Sequence, residues 1–133
     1  MSDQKAQRVA NALNAARVEL AARLAGAQGA IAQIGLGVSA SVPLQIGAQG
    51  CDLKLGFCKV NKDWRLTIER PSEMPELLVE QELEVQRAAI PRLQVLVEAL
   101  IAEAELQLRE VQAATRVLQD FVRACEESKK EGA

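Results

Sequence analysis

The side chains able to do chemistry are few. Cys51, Cys58 and Cys125 are the only thiols, and the chain contains no histidine. Histidine is the commonest general base and a frequent metal ligand, so a cysteine nucleophile here lacks its usual partner. The three cysteines show no CxxC spacing, and a zinc ion held by them would need carboxylates as well. Glu80 and Glu84 stand one helical turn apart, a spacing that suits a solvated helix face better than an acid/base dyad. No GxSxG, GxxxxGK[ST] or GxGxxG segment occurs. The residues therefore predict no enzyme, no catalytic group, no metal site and no cofactor.

Binding chemistry has more to draw on. Lys54, Lys59, Lys62, Arg65 and Arg70 fall close together and would give a modest positive end suited to a phosphate or a nucleic acid. A net charge of −2 argues against holding a nucleic acid by bulk attraction. Ser39, Ser41, Lys54, Cys58, Arg65 and Thr67 share one parity along the alternating segments. They form a smooth outward face that another backbone or a flat ligand can approach closely. This is the candidate ligand or partner surface. Cys58 is the cysteine placed outward on it, with no histidine or cationic helix start to activate it.

The elements that position these residues follow from periodicity. Residues 34–46 alternate apolar and small or polar without a break, the pattern of a half-buried strand. Cys51–Cys58 and Trp64–Arg70 continue the alternation across turns at 47–50 and 60–63. Keeping the apolar residues on one face sets the register. Phe57 then faces Leu66, Leu55 faces Ile68, and Lys54 meets Glu69 outside. On the other side Leu44 faces Leu53, Val42 faces Leu55, and small Ala40 faces Phe57. The result is a three-stranded antiparallel meander. Pro43 cannot donate to a ladder and so marks the first strand as an edge.

Long helical seams flank the meander. Residues 3–33 carry Val9, Leu13, Ala16, Leu20, Leu24, Ala27 and Ile31 in a heptad with one stutter. After Pro71–Pro75 a short helix is expected over 75–89, lying across the oily sheet face, with Pro91 kinking or breaking its path. Residues 91–126 carry Leu93, Val97, Leu100, Ala104, Leu108, Val111, Thr115, Leu118, Val122 and Cys125, with a stutter after Ala104, and 127–133 read as a frayed tail. The two long helices, roughly 46 and 52 Å at 1.5 Å per residue, are expected to pack as an antiparallel, coiled-coil-like hairpin. The fold class is α+β, mainly α: helix, three-stranded meander, kinked long helix, in one domain over 1–133.

A two-helix hairpin cannot bury all of this apolar surface, and unburied stripes mark association. The expected oligomer interface comprises Val9, Leu13, Leu20, Leu24, Leu93, Val97, Leu100, Ile101 and Leu108. The odd cysteine count and the lack of a signal peptide predict a reducing, cytoplasmic setting. With no apolar run near 18 residues, no membrane partner is expected. In element order alone the chain resembles prefoldin-type chaperone subunits, whose two long helices are joined by hairpins and which assemble through their sheets. It is similarly like the YbaB nucleoid-associated family, dimers built of a helix, a three-stranded sheet and a helix. The resemblance is architectural, carries no residue motif and transfers no functional residue. The sequence thus predicts a non-catalytic homo-oligomeric interaction protein of adaptor, chaperone-like or inhibitor type. The alternative is a dimer that binds nucleic acid or a small ligand through the basic hairpin and the Ser/Gly sheet face.

Overall fold

The computed structural model describes residues 2–46 and 52–132; the turn expected at 47–50 and the inward placing of Cys51 lie outside the described residues. The first helix, α1, spans Ser2–Ile34. Its alanines give it high helix propensity, and Arg23 pairs with Glu19 one turn away at 3.5 Å. Gly35 ends it: at φ 73° it takes the left-handed conformation that closes a helix, and its N–H bonds the Ala32 carbonyl at 3.1 Å. Gly37 turns again at φ 66°. These two glycines shorten the strand expected over 34–46 to β1, Ala40–Leu44. The alternation upstream of it belongs to a connection rather than to a ladder.

Strands β2, Leu53–Val60, and β3, Asp63–Glu69, follow. The turn between them puts Asn61 and Lys62 at φ 52° and 76°, positive at both centres as a twisted two-residue hairpin requires. The register is the one the sequence dictates. Ala40, Val42 and Leu44 face Phe57, Leu55 and Leu53, while Leu55, Phe57 and Lys54 face Ile68, Leu66 and Glu69.

Beyond β3 the structure departs from the sequence expectation. Glu76–Leu77 forms a fourth strand, β4, with Leu77 opposite Thr67 and Glu76 opposite Ile68. The sheet is therefore four-stranded, β1-β2-β3-β4, and β3 is not the open edge a meander would leave. A 3-10 turn, Leu78–Glu80, comes next, and helix α2 occupies only Leu83–Ala89. Helix propensity over 75–82 loses to tertiary demands. Fully buried Leu78 has to reach the core, while Gln81 donates to Glu76 Oε2 at 2.8 Å and Arg70 lies 3.3 Å from the same carboxylate. Buried Gln86 holds the turn from the other side, donating to the Leu78 and Val79 carbonyls at 3.3 and 3.1 Å.

Pro91 sits in a second 3-10 turn, Ile90–Arg92, whose flanking residues keep helical backbone angles. The chain passes through it into α3, Leu93–Glu131. The tail expected to fray from 127 is thus helical through Glu131.

The core lies on one face of the sheet. That face is built by Val42, Leu44, Leu53, Leu55, Phe57, Leu66 and Ile68, and it is covered by Leu24 of α1, Leu78, Val85 and Ala89, and Leu96 and Leu100 of α3. Trp64 plugs one end, stacked on Phe57 with ring centroids 5.6 Å apart. The architecture is α+β and mainly α, as the periodicities require. The two long helices do not zip into a hairpin, however, because each packs on the sheet and then leaves it. Arg92 at the start of α3 donates to the Pro43 carbonyl at 3.3 Å, and Leu100 has reached the other end of the sheet, beside Phe57, Trp64, Ile31 and Ala32. Helix α1 runs the same way, from Arg17 and Ala21 beside Glu82, Leu83 and Gln86 to Ile31 and Ala32 beside Trp64. The N-terminal arm, 3–19, and the C-terminal arm, 105–132, therefore leave from opposite ends of the head, and all their residues are exposed.

Candidate functional site

The outer sheet face collects most of the residues singled out for binding. Ser41, Gly56, Thr67 and Leu77 form its central row, with Lys54 beside Glu69 on one side and Cys58 beside Arg65 on the other. Ser39 precedes β1 and stays exposed, outside the ladder. Thr67 is fully buried rather than displayed. Its Oγ1 lies 4.0 Å from Cys58 Sγ, and a Cβ on Gly56 would come within 2.8 Å of that oxygen and 2.9 Å of Glu69 Oε1. The middle of the face is thus a tightly fitted patch in which side chains lean over a glycine, while Ser41 and Lys54 remain accessible at its margins.

The basic hairpin is electrically quieter than its lysines and arginines suggest. Residues 52–76 contain five Lys and Arg and also five Asp and Glu. Arg65 pairs with Asp63 at 3.4 Å and Arg70 with Glu76 at 3.3 Å, Lys54 stands opposite Glu69, and Lys59 lies over the Trp64 ring at 5.6 Å. Lys59 therefore shares the Trp64 side of the hairpin instead of adding to the outer face. No group of three or more His, Cys, Asp or Glu among the described residues is placed to hold a metal. A cleft of about 650 Å³ opens between Pro43, Lys54 and Glu69.

The expected oligomer interface divides in two. Leu24 and Leu100, 2% and 1% exposed, are spent on the chain's own core, and Leu20, Leu93 and Val97 are half-buried beside it. Val9, Leu13, Ile101 and Leu108 are exposed. Because Leu100 turns into the sheet, the outward seam of α3 runs through Ile101 instead. It continues through Ala104, half-buried against the core, to Leu108, Val111, Thr115, Leu118, Val122 and Cys125, alternating steps of three and four with no stutter. Leu108, Val111 and Leu118 are 56–63% exposed. The interface expectation stopped at Leu108, whereas the freest part of the seam lies beyond it, along with Phe121 and Val117. The regular spacing after Leu108 was its signal; only burial could show that Leu100 leaves the seam. No helix among the described residues is long and apolar enough to cross a membrane. In comparisons with known proteins the chain matches no family model, no curated protein and no solved structure.

Proposed function

We propose that the chain is a non-catalytic, homo-oligomeric interaction module of the cytoplasm, of adaptor, chaperone-like or inhibitor type. It assembles through its helical arms and offers the open face of its sheet to another protein. The observation that carries this reading is the C-terminal arm, whose residues 105–132 are exposed throughout while bearing Leu108, Val111, Leu118, Phe121 and Val122. A soluble monomer rarely presents so continuous an apolar stripe. The free thiols Cys58 and Cys125 suit a reducing compartment. The alternative, a dimer binding nucleic acid or a small ligand, would depend on a basic hairpin whose Arg65 and Arg70 are already paired with carboxylates and whose wider segment, 52–76, has no net charge.

Native mass spectrometry and sedimentation of the full chain in reducing buffer test the proposal. A defined oligomer without adduct is expected. A monomer at tens of micromolar overturns it, and an oligomer carrying the extra mass of a nucleotide or small ligand replaces it with the alternative.

A further inference from the structure

We propose that the C-terminal arms of two copies wind together as a parallel, in-register, two-stranded coiled coil. The proposal rests on the self-assembly reading above and adds the arm, the partner, the number of strands and their direction. The heptad spacing is unbroken over Ile101–Cys125, about 36 Å at 1.5 Å per residue, and its part from Leu108 to Cys125, about 26 Å, is wholly exposed. Three of the four a positions, Ile101, Thr115 and Val122, are β-branched, and Leu118 stands at d between the last two, the combination that favours two strands in parallel coils. Thr115 is the one hydroxyl in the seam, and its Oγ1 already donates to the Val111 carbonyl at 2.9 Å. It can enter a core layer without leaving an unpaired donor.

Charge decides the direction. In a parallel pair each g residue meets the e residue five places on in the partner, giving Gln107 with Gln112, Ala114 with Gln119, and Phe121 with Glu126; no like charges meet. In an antiparallel pair e faces e. The two antiparallel registers with most overlap outside the heads set Glu126 against Glu105 or Glu98 of the other copy, and symmetry repeats the repulsion. A second copy joined in parallel is thus the occupant that this seam accepts.

Parallel pairing sets Cys125 against its own copy in a core layer, near the roughly 4.4–6.8 Å Cα separation a disulfide needs. The antiparallel registers leave the two thiols about 25–36 Å apart by the same helical rise. The test uses the full chain with Cys51→Ser and Cys58→Ser, treated at low micromolar concentration with diamide, which takes one hydrogen from each of two thiols as their sulfurs bond. Rapid, near-complete covalent dimer is expected. The same chain with Cys125→Ser and Asp120→Cys, its thiol now on the outward face, should link at least about tenfold more slowly, as effective concentration dictates. Leu118→Asp should convert the dimer to a monomer with the head still folded, since that side chain touches nothing in its own chain's core. An oligomer whose Cys125 links no faster than the Asp120→Cys control overturns the parallel arrangement while leaving self-assembly intact, as does a dimer that survives Leu118→Asp. A monomeric parent chain sinks both.

Discussion

Gln28 reaches from α1 to β3, where its Oε1 accepts the Leu66 backbone N–H at 2.9 Å. β4 pairs only with Thr67 and Ile68, so this side chain finishes the β3 edge that β4 leaves unpaired. Gln28 is itself buried. Replacing it by leucine strands a buried N–H, which costs about 1–3 kcal/mol. Gln28→Leu should lower the unfolding free energy by that amount, read as a lower urea midpoint at unchanged slope; an unaltered midpoint would mean that solvent reaches Leu66.

Gly56 is required by its neighbours across the strand. A methyl group there would stand 2.8 Å from Thr67 Oγ1. Gly56→Ala should destabilise the head by about 1–3 kcal/mol, the usual cost of overpacking. Made in a Thr67→Ala background the same change should cost less, and a double-mutant cycle of unfolding free energies reads the difference.

The hairpin turn stores strain that can be relieved. Lys62 holds φ 76°, a conformation that costs a side-chain-bearing residue about 1 kcal/mol or more. Lys62→Gly produces the Asn-Gly pair such turns prefer. It should raise stability by roughly 1 kcal/mol, seen as a higher thermal midpoint.

β4 is held by a small polar network as much as by its ladder. Gln81 donates to Glu76 Oε2 and to the Leu77 carbonyl, at 2.8 and 3.4 Å, while Arg70 Nη2 donates to Gln81 Oε1 at 3.5 Å. Gln81→Ala removes these partly exposed links, worth about 1 kcal/mol together. Amide exchange over 76–78 should quicken about fivefold while exchange in β2 stays unchanged.

Leu100 and Leu108 are both seam leucines in the sequence, yet they should respond differently. Leu100 is 1% exposed, and Leu100→Ala should cost the head about 2–5 kcal/mol. Leu108→Ala should leave the head's unfolding within about 0.5 kcal/mol of the parent and weaken association instead, as dilution followed by sedimentation would show.

Much of the sheet was legible because alternation allows one register once its faces are assigned. Lys54 with Glu69 and Phe57 with Leu66 follow from that alone. The same rule misled at 34–39, where Gly35 and Gly37 fit the alternating pattern but adopt positive φ; periodicity counts side chains and is blind to backbone handedness. β4 was hidden because two residues carry no period, and Leu77 pairs there only because β3 offers an edge. The outer face was found as a face, but Thr67 was expected to be accessible. Its burial comes from neighbours closing over Gly56, which a pattern of polarity does not encode. The long seams were visible as well. That Leu100 and Ile101 part company, one into the head and one along the arm, depends on where α3 meets the sheet.

The departure of the two arms from opposite ends of the head sets two exposed apolar stripes out of each other's reach. Whatever occupies Leu108–Val122 stands beyond the Trp64 end, while Val9 and Leu13 project past α2 on the far side. The two sites are sterically independent. Covering one stripe therefore leaves the other, at the far end of the head, as open as before.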